Sequence, residues 1–258
     1  MAPTWPVVVA SSTFRNWASS GLTGFILREC TLHVSDTVGD VEWRSGDAIL
    51  RRRSDGALEL RIGGVFVMDD VETTSERLLA ETTLAGLSDP HRIMVGGLGL
   101  GYTLRALLAD PRVEHVVVAE SEPAIPAWMR DEVLPGADLL NDPRVDLRVA
   151  GIRTVVADAA PGSLDAILLD VDNGPGYLVH EENASLYEGA FVRQCAAALV
   201  PGGQLCVWSM GEAPELVTEM EGVLARVESE PVPVRLQGRD ETYWLLRGQT
   251  PRTDSLAP

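Results

Sequence analysis

The stretch that most constrains what this chain can fold into is His91–Glu120, HRIMVGGLGLGYTLRALLADPRVEHVVVAE. An apolar run, Ile93–Val95, enters a turn holding Gly97, Gly99 and Gly101. A helix-like segment follows over Tyr102–Ala109, and a second apolar run, Val113–Ala119, stops on Glu120. Glycines in such a turn let the backbone approach a ligand and reach conformations that a Cβ forbids. An acid closing the second strand about 20 residues past the turn can grip a ribose diol. Strand, glycine turn, helix and acid-tipped strand together predict a nucleoside-binding βαβ unit, weighed against a bare structural turn.

The rest of the chain extends that unit. AILRRRSDGALELRIGGVFVMDD, from Ala48, has β-rich runs broken by Asp55-Gly56 and Gly63-Gly64, which predicts a small antiparallel meander. Glu72–Leu87 reads as a helix, closed by Asp89-Pro90. Beyond Glu120, helices are expected over Glu122–Val133, Ala184–Leu199 and Pro214–Arg226. Strands are expected over Val145–Val149, Ala166–Val171 and Gln204–Ser209, with a closing pair at Val232–Leu236 and Thr242–Arg247. This alternation predicts an α/β fold with a doubly wound, mostly parallel sheet. Ligands of such sheets bind at the carboxyl ends of the strands, where the glycine turn, Glu120 and Asp170 with Asp172 would line one crevice. Residues 1–46 show no lasting period and read as an irregular segment packed on the fold through Trp5, Trp17 and Trp43. The final PRTDSLAP reads as a loose tail. Two units are expected, 1–90 (irregular segment, meander and connecting helix) and 91–258 (a Rossmann-like nucleoside-binding domain).

Composition excludes several partner classes. With 45% hydrophobic and 23% charged residues the chain can bury a substantial core. Its net charge of -17 repels phosphate backbones and anionic lipid, so neither nucleic acid nor a membrane surface is expected as a partner. The 3 cysteines, Cys30, Cys195 and Cys206, are widely spaced and lack zinc or CxxC spacing. Together with the absence of a basic leader or a long apolar span, they point to the cytoplasm.

The β-rich N-terminal piece, the GG-x-G-x-G turn, the acid-tipped second strand, LLDVDNGPGYL and LVPGGQLCVWS resemble, across roughly residues 47–247, one family. It is the spermidine synthase-like branch of the class I S-adenosylmethionine-dependent methyltransferase fold. The resemblance implies a Rossmann-like seven-stranded sheet, S-adenosylmethionine or its decarboxylated form as cofactor, a small-molecule substrate, and a homodimer formed near the meander. It also implies residue roles: Glu120 for the ribose, Asp170 as proton acceptor, and Glu76 reaching the acceptor. Several positions depart from the family. Leu100 stands where polyamine synthases place an Asp beside the aminopropyl tail, so a carboxylated donor is no longer repelled. Asn173 stands where a second loop Asp is expected. Thr74 and Ser75 replace the Tyr and Gln or His offered to a diamine, and Ala150-Gly151 replaces the acid that contacts the adenine amine. A cationic substrate amine without its carboxylates is poorly paired in a dry site, which disfavours spermidine synthesis itself.

Alkyl transfer from a sulfonium asks a protein for alignment, exclusion of water and removal of one proton. Asp170 is the candidate base, against a role in ordering its own loop. Asp172 and Asn173 are candidates for catalysis and substrate binding, against shaping the Asn-Gly-Pro turn. Tyr177 and His180 lie on the same loop, which could close over the site, His180 as an acid or base. Gly97, Gly99, Leu100, Gly101, Glu120 and Gly151 are expected at the donor, and Glu76, Asn173 and Tyr177 at the substrate. Trp128 and Trp208 could wall a pocket or simply fill the core. Three functions stay open: an S-adenosylmethionine-type transferase moving a methyl or aminopropyl group, a repurposed enzyme cyclising or rearranging a small molecule without alkyl transfer, and a non-catalytic binding protein.

Overall fold

The computed structural model describes residues 31–34 and 40–252. Trp5, Trp17, Cys30 and the end of the C-terminal tail lie outside them. Five strands form an antiparallel sheet in sequence order: β1 (Thr31–Val34), β2 (Val41–Ser45), β3 (Ala48–Arg52), β4 (Leu58–Ile62) and β5 (Val65–Asp69). The expected meander is β3–β5. The preceding segment, expected to be irregular, contributes two further strands. Its β2 pairs with β3 across the Gly46-Asp47 turn, from Val41 opposite Arg52 to Ser45 opposite Ala48. VEWRS is too short to show a period by itself, and this pairing is what fixes it as a strand. Arg51 of β3, a strand inside this sheet, and Arg53 just beyond it are paired with carboxylates. Arg51 bridges to Asp40, and Arg53 reaches Asp69 at 3.3 Å and Glu59 at 3.7 Å.

Helix α1 (Thr74–Ala85) leads into the second sheet, with strands β6 (Arg92–Gly96), β7 (His115–Glu120), β8 (Val145–Val149), β9 (Leu164–Leu169), β10 (Leu199–Ser209), β11 (Ala225–Leu236) and β12 (Arg239–Gln249). Their spatial order is β11-β12-β10-β9-β6-β7-β8. The neighbours from β10 to β8 run parallel, whereas β12 and β11 run antiparallel at the other edge. This is the doubly wound, mostly parallel seven-stranded sheet that the alternating pattern predicts. Strand periodicity sorts side chains to two faces. Ile93, Val95, Val116, Val118, Ala166 and Leu168 point into a core shared with α1, α2 (Tyr102–Leu108), α3 (Ala124–Arg130) and the meander. Met94, Ile167, Leu169, Leu205 and Val207 point into the opposite core. That second face is covered by α5 (Ile152–Ala157), α6 (Gly189–Ala198) and α7 (Pro214–Glu221).

Three features differ from the expected pattern. The short helices α4 (Ala137–Leu140) and α5 carry too few turns to reveal a period. The helix expected over Ala184–Leu199 is split: a 3-10 stretch, Glu181–Tyr187, precedes α6. The last two strands are about twice their expected length, because exposed charged residues of β11 continue a ladder whose apolar signal is confined to Val232 and Val234.

Candidate functional site

The carboxyl ends of β6, β7 and β9 converge as the crevice rule requires. Gly97 leaves β6 with φ of 87°. Its N–H donates to the Ala119 carbonyl at 2.8 Å, and a Cβ there would meet the main chain of Asp170. Only glycine lets the first and fourth parallel strand ends approach this closely. Gly101, also at φ 87°, opens α2, and its N–H donates to the Leu98 carbonyl at 2.8 Å.

Glu120 closes β7 and is 5% exposed. One carboxylate oxygen accepts from the Leu98 N–H and the other from the Glu122 N–H, each at 2.7 Å. Burial raises its pKa, opposed by these backbone donors. A carboxylate has about four lone-pair sites, so two remain for a ligand hydroxyl. The glycine turn thus fixes the rotamer of the acid that faces the crevice.

Asp170 follows β9 and accepts from the Thr103 hydroxyl at 2.6 Å. Thr103 stands in the first turn of α2, so the glycine turn places this donor as well. The same hydroxyl lies 3.3 Å from the Glu76 carbonyl oxygen, and Glu76 in α1 accepts from the Ser75 hydroxyl at 2.8 Å. Burial raises the Glu76 carboxyl to about 7, with the charge of Asp170 adding to it. Burial likewise raises Asp170 to about 6, partly offset by the Thr103 hydrogen bond. Both carboxyl groups are therefore held above the ordinary carboxylate range, Glu76 in part by the charge of Asp170.

These groups line one cavity of about 450 Å³, within the range of small-molecule sites. One end is framed by Gly97, Glu120, Ser121, Ile125, Gly151 and Arg153. The other is walled by Leu60, Ile62, Val67 and Met68 of the meander together with Trp208, and Glu76 and Asp170 also face the cavity. Met68 ties the two sheets together: its sulfur accepts from the Leu100 N–H at 3.3 Å and lies over Gly99.

The expected site residues divide between the cavity and its surroundings. Gly97, Gly99, Glu120, Gly151, Glu76, Asp170, Asp172 and His180 line the cavity. Leu100, expected at the donor tail, buries its side chain in the core. Gly101 sits behind the turn, where a Cβ would meet Leu139 and Met129. Asn173 is buried beneath the meander and donates to the Phe66 carbonyl at 3.0 Å. Tyr177 is 57% exposed and lies against Gly211. Trp128 belongs to the core, whereas Trp208 walls the cavity.

Asp172 has a positive φ of 59°, and its carboxylate is already engaged. It accepts from the backbone N–H groups of Asn173, at 2.9 Å, and of Val179 and His180, and from the Asn183 amide at 2.8 Å. It holds residues 172–183 as one folded loop across the cavity mouth. Thr103, Met68 and Arg153 escaped the sequence reading. Thr103 was within reach of it, as a hydroxyl one turn into the helix that a ligand-binding glycine turn begins.

No family model matches the chain. Among curated proteins it is 30% identical over 164 residues to the polyamine aminopropyltransferase of Thioalkalivibrio sulfidiphilus (strain HL-EbGR7), across 64% of this chain and 56% of that protein. It is 28% identical over 154 residues to putrescine N-methyltransferase 4 of Nicotiana tabacum, across 59% of this chain and 36% of that one. The matched stretch is therefore little more than half, or less, of these relatives' length. Among solved structures, a spermidine synthase bound to the transition-state analogue AdoDATO superposes with a TM-score of 0.68 at 16% identity, covering 85% of this chain and 72% of that one. Spermidine synthase from Thermotoga maritima gives 0.65 at 15% identity, with the same coverage. By sequence and by fold, the chain resembles the spermidine synthase-like branch of the class I methyltransferase fold.

Proposed function

We propose that the protein is an enzyme that binds S-adenosylmethionine, or its decarboxylated form, and transfers an alkyl group, methyl or aminopropyl, to a small amine. The observation that carries this reading is the coupling of the glycine turn to Glu120 beside the Asp170–Glu76 pair in one cavity. The residues suit such a donor. Gly97 and Gly99 line the cavity at the turn, Glu120 keeps lone-pair capacity for ribose hydroxyls, and Gly151 leaves room at the end of β8. Bound there, the donor supplies an electrophilic carbon on a sulfonium.

The chain's own residues supply the remainder. Asp170, when ionised, takes a proton from the incoming amine so that a nitrogen lone pair is exposed. Thr103 holds that carboxyl in place, and Glu76 faces the same cavity as a second carboxyl toward the amine. The loop pinned by Asp172, with His180 on the cavity side, restricts water. The division of labour largely follows the chain: the meander and α1 furnish most of the acceptor wall and Glu76, and the residues after 90 furnish the donor end, Asp170 and Trp208. No helix among the described residues is long and apolar enough to cross a membrane. A cytoplasmic setting and a homodimer formed near the meander belong to the same proposal. They are supported by the acidic composition and by the resemblance.

Calorimetric titration with S-adenosylmethionine, its decarboxylated form and S-adenosylhomocysteine tests the reading. At least one should bind, and Glu120→Ala should weaken it about tenfold or more, the worth of a charge-assisted hydrogen bond. Unchanged affinity in the folded variant, or no binding to wild type, would refute the proposal. Preference for the carboxylated donor would assign methyl transfer, and the reverse aminopropyl transfer.

A further inference from the structure

We infer that the acceptor carries a single basic amine on an apolar body, in contrast to the putrescine and polyamine for which the curated relatives are named; this rests on the transferase reading above. The argument is an inventory of charge around the cavity. Its carboxylates are Glu76, Glu120, Asp170, Asp172 and Glu182, and its other charged or titratable groups are Arg153 and His180. Glu120 is held by the two N–H groups at the donor end. Asp172 is consumed by the four donors of its own loop. Glu182 is exposed at the mouth, on the loop side with His180, Asn183 and Ser185. Among the described residues lining the cavity, the Glu76–Asp170 pair is left to face an acceptor nitrogen.

Among the described residues, the opposite wall carries no carboxylate for a second cation. Leu60, Ile62, Val67 and Met68 are apolar, and so is the ring of Trp208. Of the meander's own carboxylates, Glu59 and Asp69 are paired with Arg53. Trp208 is 5% exposed, and its indole Nε1 has no hydrogen-bond partner among the described residues. With no carboxylate among these residues, a distal ammonium against this wall is desolvated without a charged partner. An alkyl or aromatic body, by contrast, gains from burial against the same residues. The carboxyl pair and the apolar wall together select one amine and one hydrophobic tail.

The test uses the full chain saturated with S-adenosylhomocysteine and titrates n-hexylamine, 1,6-hexanediamine and n-hexanol by calorimetry. Turnover of the two amines with the preferred donor is measured alongside. We expect hexylamine to bind about tenfold or more tightly than the diamine and to show the higher kcat/KM, with hexanol weaker than hexylamine. Equal or tighter binding of the diamine overturns the inference. So does hexanol matching hexylamine, or binding of no amine by protein that holds S-adenosylhomocysteine. Failure to bind any donor or S-adenosylhomocysteine is a different result, since it sinks the transferase reading and this inference with it. Val67→Asp places a carboxylate on the apolar wall. In protein that retains its S-adenosylhomocysteine affinity, it should reverse the preference toward the diamine, and an unchanged preference counts against the inference.

Discussion

Gly97→Ala separates the backbone argument at the strand ends from every question of substrate. At φ 87° an alanine lies in the left-handed region, which costs an L-residue about 1–2 kcal/mol. Its Cβ would also stand 2.9 Å from the carbonyl carbon of Asp170 and closer still to the oxygen. The obstacle is main chain at the end of β9, so no rotamer change relieves it. Overpacking of this kind costs typically about 1–3 kcal/mol. The sum is about 2–5 kcal/mol, which for a chain of this size lowers Tm by roughly 4–20 °C. Gly151→Ala is the control at the same cavity. Its φ of −65° suits any residue, and nothing lies within 4 Å of the added carbon. That change should stay within about 1 kcal/mol. Thermal and urea unfolding of both variants against wild type measure the contrast. If Gly97→Ala melts within about 2 °C of wild type, or no lower than Gly151→Ala, then β6 and β9 do not meet as described and the convergence of the site fails with them.

Two further perturbations probe the carboxyl pair and the loop. Asp170 is raised to about 6 by burial and held down by the Thr103 hydroxyl. A rate that needs ionised Asp170 should therefore rise with pH through about 6, and Thr103→Val should move that limb to higher pH; a pH–rate profile unmoved by the substitution would remove Asp170 from the chemistry. In the same pair, folded pKa values above the unfolded ones mean that stability falls as pH climbs from about 4 to about 7. Asp170→Asn should flatten that slope in urea titrations, and a slope left intact would contradict the pairing. Asp172→Ala removes the acceptor for four donors and should cost about 2 kcal/mol or more. It should also speed amide exchange at Val179 and His180, whereas Asp172→Asn, tolerant of the positive φ, should do so less. Equal protection in all three proteins would show that the loop is held by other contacts.

Much of this arrangement was legible from local pattern, and the remainder was not for definite reasons. The strand before the glycine turn and the acid after it are neighbours in sequence, so both their order and their meeting could be read. Asp170 was legible as the polar end of a continuous apolar run. Leu100 was misleading because alternate residues of the turn face opposite ways. Gly97 and Gly99 open on the cavity, while the Leu100 side chain turns into the core. Asp172 and Asp170 look alike in the sequence, and only the hydrogen bonds from Val179 and Asn183 show that one is bound up in its loop. Strand β2 stayed hidden because its evidence lies in β3, and the bond between Thr103 and Asp170 spans 67 residues.

The cavity's division between two sheets governs how such a protein can diverge. Its donor end is fixed by the glycine turn and by Glu120, whose carboxylate the turn's main chain holds, and these tolerate few replacements. Its acceptor wall is made of side chains on the β4–β5 hairpin, whose ladder runs from Glu59 opposite Asp69 to Ile62 opposite Val65 and involves no residue of the glycine turn. Leu60, Ile62 and Val67 can be exchanged while Glu120 keeps both of its backbone donors. On this reading a lineage can change acceptors by repainting one hairpin and inherit the donor chemistry intact. Met68 is the position at which the two histories are joined, because its sulfur touches the turn itself.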